Sequence, residues 1–180
     1  MFHTLKLNHI KLNFLYNHQV IDLVGMVFDK ENVGDIWKMK PQHFSLMTSI
    51  FRSFLISAIE NNENLVFTIT WNFDNPAYKE FFQDIENFAK KNNTNILFVE
   101  LFSTLEERIK RNSTENRLNH KVCKRNIENS TKALIDATNS FRLNSIGVEL
   151  PFEHWLFIDN TNLLPLEVAN QIVTYIYEKL

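Results

Sequence analysis

Apolar positions recur along this chain with two periods, and the alternation between them predicts its elements. Asn13–Asn17 (NFLYN) is a short apolar run closed by a turn-former, which predicts a buried strand. From Gln19 to about Phe28 the order V-I-x-L-V-x-M-V-F has helical spacing. Pro41 to Glu60 predicts a second helix: Pro41 suits a first turn, and Phe44, Met47, Phe51, Phe54, Leu55 and Ala58 fall three and four apart. Asn61–Asn64 break it. Leu65–Trp71 (LVFTITW) is β-branched and aromatic, as a strand requires. Pro76 opens a further helix through Phe81, Phe82, Ile85 and Phe88 to the Lys90–Asn95 turn, and Ile96–Leu101 (ILFVEL) is the next strand. Thr104 followed by Glu107 reads as a capping box. After the polar stretch Asn112–Asn119, a polar helix is expected from His120 to about Ala137, then a strand at Trp155–Ile158 and a Pro165-led helix to Leu180.

Strands alternating with helices predict an α/β protein: a three-layer α/β/α fold with a mostly parallel sheet and right-handed crossovers, in one domain spanning 1–180. Ligands of such sheets sit beyond the carboxyl ends of the strands. Here those ends are Asn17–His18, Asn72 to Asp74, Phe102 to Thr104, and Asp159 to Thr161.

Several candidate residues stand at those ends. His18 or Asp22 is placed to act as a base toward an acceptor hydroxyl, with Asn17 beside them. Asp22 alternatively sits in a helix first turn, where a carboxylate complements the dipole. Asp74 either carries a metal-bound water or caps the Pro76 helix. Arg52 faces an anionic acceptor or an ion-pair partner. Arg108 and Arg111 lie three apart on one helical face and Arg117 follows in the polar stretch. Their guanidinium forks suit phosphate oxygens, or else Glu106, Glu107 and Glu115 pair with them along the helix. Asp159 and Thr161 frame either a ligand-binding turn or an ordinary one.

Composition narrows these chemistries. The 180 residues hold only three glycines, where average usage of about 7% gives roughly a dozen. Neither G-x-G-x-x-G nor a Gly-Lys dipeptide occurs, so no glycine-rich phosphate loop is encoded in these residues. Nineteen basic against twenty-one acidic residues give a net charge of −2, which argues against nucleic acid or an anionic membrane as partner. The six histidines show no H-x-x-x-H spacing, and no metal site is predicted. The single cysteine, Cys123, fits a reducing, cytoplasmic setting.

Three stretches together resemble the small P-loop kinases and phosphotransferases, the branch that holds shikimate kinases, nucleoside kinases and chloramphenicol phosphotransferases. FLYNHQVIDLV (Phe14–Val24) resembles that family's second strand and following helix, where the acceptor binds. FVELFSTLEERIKRNSTENRL (Phe98–Leu118) is similar to its fourth strand, its L-x-x-R-x-x-R helix and an arginine-bearing lid, here around 111–125. FIDNTNLLPLEVANQI (Phe157–Ile172) is similar to its last strand, adenine-side turn and terminal helix.

The resemblance implies ATP and Mg²⁺ as cofactors and phosphoryl transfer to a small-molecule hydroxyl. Arg108, Arg111, Arg117, Asp159 and Thr161 then fall on the nucleotide side, with Asn17, His18, Asp22, Arg52 and Asp74 around the acceptor and reacting groups. It also implies a first central strand and a Walker A loop ahead of Phe14. Phe2–Leu7 cannot be that strand, because only five residues separate Leu7 from Asn13 and a parallel crossover needs about ten to twelve. The edges of Leu65–Thr70 and Ile96–Leu101 are therefore expected to close up, to take a strand from a partner (a homo-oligomer being one case), or to await an upstream segment. A kinase-like protein weak or inactive in transfer is the expectation, and a non-catalytic binding or regulatory module on the same scaffold is the alternative.

Overall fold

A computed structural model describes residues 12–28, 39–120, 125–147 and 150–180. In chain order the elements are β1 (Asn13–Tyr16), α1 (Asn17–Phe28), α2 (Pro41–Glu60), β2 (Leu65–Thr68), α3 (Pro76–Lys91), β3 (Phe98–Phe102), α4 (Leu105–Asn112), α5 (Glu115–His120), α6 (Ile127–Ser140), β4 (Trp155–Asp159) and α7 (Pro165–Lys179). The mixed α/β class and the parallel pairing are as the hydrophobic pattern predicts. The single sheet is not what forms among the described residues. Their strands make two parallel pairs, β1 with β2 and β3 with β4. Internal contacts divide the chain into two compact units, Met1–Ile69 and Thr70–Leu180.

In the first unit the register sets Phe14 beside Val66 and Leu15 beside Phe67. Side chains alternate along a strand, so one face carries Leu15 and Phe67 and the other Phe14 and Val66. Only the first face is covered. Leu15 is buried with Val20, Ile21 and Val24 of α1 and Met47, Phe51 and Ile59 of α2. The Phe51 ring meets Phe67 edge-on at 5.1 Å. Phe14 and Val66 remain 38% and 36% exposed, an unusual state for parallel strands, which normally have both faces packed.

In the second unit, β2's expected continuation to Trp71 leaves the ladder because Trp71 has a better place to go. Its ring stacks on Phe82 at 4.9 Å and also meets Phe73, Tyr78 and Phe152. Burial in this cluster pushes the Tyr78 hydroxyl pKa up. Phe152 in turn stacks on Phe98 of β3 at 3.8 Å. Pro76 and Pro165 occupy the first turns of α3 and α7, as their fixed φ favours. The α3 cap is Asn75, whose side-chain oxygen accepts from the Ala77 N–H at 3.1 Å, and not Asp74.

The expected helix from His120 is interrupted. Residues 121–124, with Lys121, Cys123 and Lys124, lie outside the described residues, and α6 begins only at Ile127, where Asn126 accepts from the Asn129 N–H. It runs on to Ser140. Asn112, 1% exposed, joins α4 to α6 by donating to Ser130 Oγ at 2.8 Å and Thr131 Oγ1 at 3.1 Å. No described helix is long and apolar enough to cross a membrane.

Candidate functional site

The carboxyl ends of β3 and β4 lie side by side, with Phe102 opposite Asp159 and the Asn160 N–H donating to the Phe102 carbonyl at 2.8 Å. Past that point both chains turn, and polar side chains stitch the turns together. The Thr104 N–H donates to Thr161 Oγ1 at 3.2 Å, and the Thr161 N–H donates to Asp159 Oδ1 at 2.9 Å. Hydrogen bonding to Asp159 from Thr161, from its side chain first and then its backbone, holds the Asp159 carboxyl below its ordinary pKa. Thr104 Oγ1 also caps α4 by accepting from the Glu107 N–H at 3.3 Å.

Only half of the expected capping box forms, because the Glu107 carboxylate turns toward Arg111 instead. Arg111 Nε donates to Glu107 Oε1 at 2.7 Å. Its other nitrogens reach the turn after β4: Nη1 to Asn160 Oδ1 at 3.3 Å, and Nη2 to the Asn160 and Thr161 carbonyls at 2.7 and 3.2 Å. The Arg111 guanidinium, through this hydrogen bond, leads the causes that hold Glu107 well below its ordinary pKa. Arg111 thus meets Asn160 and Thr161, forty-nine and fifty residues away, and with Asp159 they share one corner.

Arg108 sits three residues earlier on α4 and behaves differently. Its side chain is half-buried, with Nε enclosed and without a hydrogen-bond acceptor. Burial lowers its pKa, since desolvation disfavours the charged form. Among the described residues it makes no ion pair. A partly desolvated guanidinium without a counter-charge favours an anion. Arg117, the third arginine, lies half-buried on α5.

No family model matches this chain, and neither a curated protein nor a solved structure does.

Asp74 is not the cap of α3, a role that Asn75 fills, and its carboxylate is paired with Arg142. Arg142 Nε donates to its Oδ1 at 3.0 Å and the Arg142 N–H to its Oδ2 at 3.2 Å, and this pairing lowers its pKa. Arg142 Nη2 also donates to the Phe73 carbonyl at 3.1 Å, and its guanidinium lies 5.5 Å from the Phe73 ring centre. A second carboxylate holds the same segment. Glu100 of β3 accepts from the Asn144 side chain at 3.0 Å, the Ser145 N–H at 2.8 Å and Ser145 Oγ at 2.7 Å. Sequence reasoning missed this strap, although a glutamate inside the apolar run FVELF was a visible sign of a specific partner.

Asn17, His18, Asp22 and Arg52 lie in the first unit, and Asp74 in the second. Asn17 is buried and its N–H donates to Thr68 Oγ1 at 3.4 Å, joining the start of α1 to the end of β2. His18 and Asp22 are half-buried four residues apart on α1, on one helical face. Because α1 begins at Asn17 rather than Gln19, Asp22 falls in its second turn, and the first turn holds no acidic residue. The dipole reading of Asp22 is thereby corrected. Arg52 is exposed on α2. An open groove of about 360 Å³ on α2, lined by Ser49, Ile50, Ser53, Phe54 and Ser57, includes none of these candidates. Among the described residues no three His, Cys, Asp or Glu side chains are grouped to hold a metal ion.

Proposed function

We propose that this chain is a nucleotide-binding protein on a P-loop-kinase-like α/β scaffold, with its nucleotide site in the corner between α4 and the turn after β4. The observation that supports it best is the meeting of Arg111, Asp159 and Thr161 in one hydrogen-bonded corner, with Arg108, which has no ion pair among the described residues, three residues before Arg111 on α4. Arg108 takes the phosphates of ATP, and the Asp159–Thr161 turn lies toward the base. The guanidinium supplies charge-assisted hydrogen bonds of about 1.5–3 kcal/mol. No step is assigned to Mg²⁺. Phosphoryl transfer to a hydroxyl, the activity the resemblance implies, is slow or absent for these 180 residues, because they encode no glycine-rich phosphate loop.

Calorimetric titration with ATP tests this reading. Saturable binding tighter than about 1 mM is expected, weakened about tenfold or more in Arg108→Ala. No saturable binding, or an unchanged affinity in the variant, overturns it.

A second reading, a non-catalytic regulatory module, is favoured by one specific observation. Asp74, the carboxylate expected to carry a metal-bound water, is paired with Arg142. Phosphate release measured with the intact chain separates the two. Turnover above the uncatalysed rate removes the second reading, and binding without turnover supports it.

A further inference from the structure

Among the described residues β4 pairs only with β3, and its backbone shows which side is open. The Phe98 N–H donates to the His154 carbonyl and the Asn160 N–H to the Phe102 carbonyl, so the even-numbered residues of β4 turn their backbone groups toward β3. The odd-numbered ones, Trp155, Phe157 and Asp159, turn theirs outward, because the two directions alternate along a strand. Among the described residues nothing hydrogen-bonds to those outward N–H and C=O groups.

Other strand edges of the molecule carry a guard. On β3 the Asn144 side chain donates to the outward Leu101 carbonyl at 3.4 Å, and on β1 the outward Tyr16 N–H donates to Gln19 Oε1 at 2.9 Å. β4 has no such cover, and it lacks the lysine, proline or bulge that usually protects an edge. Its run WLFID holds one charge, at its end, and Phe157 is 44% exposed.

The run is also complementary to itself. Set antiparallel to a second copy about Phe157, it places Trp155 beside the partner's Asp159, Phe157 beside the partner's Phe157, and Asp159 beside the partner's Trp155. All of these residues have outward backbone groups, so each pair exchanges two N–H···O bonds. A register shifted by one residue sets outward groups against inward ones. The two Asp159 carboxylates stand at opposite ends, so like charges do not meet, and each chain brings a net charge of only −2. Phe102, its ring 6.3 Å from that of Phe157, extends the central pair into a row of rings across the joined strands.

We propose that a second copy of this chain pairs antiparallel along β4, joining two β3–β4 pairs into one four-stranded sheet about a two-fold axis at Phe157. The pairing brings the partner's Trp155 beside Asp159, next to the corner described above, but does not depend on what that corner binds.

Sedimentation equilibrium of the full chain, without added ligand, tests this together with amide exchange read residue by residue by NMR. A monomer–dimer equilibrium is expected with a Kd of about 10–100 µM, since pairing along one short edge buries less than a standard interface. Well below that concentration the Leu156 and Ile158 amides are protected while those of Trp155, Phe157 and Asp159 exchange freely. Well above it all five are protected. Phe157→Pro deletes an outward N–H and no bond to β3, which an edge strand tolerates, and is expected to weaken dimerisation about tenfold or more. Phe157→Lys sets two ammonium groups opposite each other and is expected to weaken it similarly, with part of the loss recovered at high salt. Retained protection of Leu156 and Ile158 shows that a variant is folded. Where Phe157→Pro loses it, Phe157→Lys decides, and where both do, the exchange pattern of the unaltered protein decides. A chain that stays monomeric up to about 1 mM overturns the inference. So does a dimer in which the Trp155 and Phe157 amides still exchange freely, or one that the deciding variant leaves unweakened.

Discussion

The two parallel pairs are built from similar strands but are secured in different ways. The β1–β2 pair relies on apolar packing, with Leu15 and Phe67 against the α1 and α2 side chains, and is tied at its carboxyl end by Asn17 to Thr68. The β3–β4 pair carries a dense polar strapping at the same end: Thr104 to Thr161, Thr161 to Asp159, Arg111 to Asn160 and Thr161, and Glu100 to Ser145. Apolar burial supplies free energy in proportion to area and is indifferent to direction. Hydrogen bonds supply less net free energy each but fix angles and registers. The contrast separates a unit whose strand ends are held by bulk from one whose strand ends are held in a defined geometry, and a ligand corner needs the second kind.

Mutations that attack each kind of support should rank accordingly. The largest loss is expected from Phe51→Ala, which removes a ring 2% exposed in the first unit's core. Such truncations cost about 3–5 kcal/mol, and urea unfolding followed by the first unit's signals should show it. A cost below about 1 kcal/mol means that Phe51 is not the centre of that packing. Asn112→Ala comes next. It leaves Ser130 and Thr131 without their shared buried donor and is expected to cost about 1–3 kcal/mol, with faster hydrogen exchange in α4 and α6. Exchange accelerated elsewhere but not in these helices contradicts the assignment. Smaller again is Asn75→Ala, which removes the α3 cap at about 1 kcal/mol, whereas Asp74→Ala leaves that cap in place.

How much of this was legible follows the range of the interactions. Pro41, Pro76 and Pro165 each open a helix where the sequence places one, because proline acts on its own φ and on the residue before it. The Thr104 cap was legible for the same reason, being a contact three residues away. Glu107's choice of Arg111 over the cap was not, since both partners lie within reach and only the turn after β4 decides between them. β2 was read too long because Ile69–Trp71 has strand propensity, and the rings that draw Trp71 aside come from residues as distant as Phe152. Arg142 carried no local sign at all, for its partner Asp74 is sixty-eight residues away. The candidate corner was legible as two separate stretches, and their meeting is a property of the β3–β4 pairing.

The acid response sharpens the comparison most finely, because it reads the polar strapping without removing an atom. Asp74, Glu107 and Asp159 all have folded-state pKa values held below their unfolded ones, by Arg142, by Arg111 with Lys110, and by Thr161 respectively. A group depressed in this way binds its proton more weakly in the folded state. Its contribution is therefore complete above the unfolded pKa and is lost as pH falls through the folded one. The second unit is expected to keep its stability from neutral pH down to the ordinary carboxylate range and to lose it progressively below. The effect is small, since all three groups lie at the surface, where solvent and salt screen such pairs. Asp74→Asn keeps the shape and an oxygen for Arg142 but deletes one titration, so its stability-against-pH curve should be flatter than the parent's in that acid window and parallel to it above. High salt should bring the two curves together, because it weakens the pairing that depresses the pKa. Curves that already run parallel at low salt through the acid window would mean that the Asp74–Arg142 pair does not couple to folding.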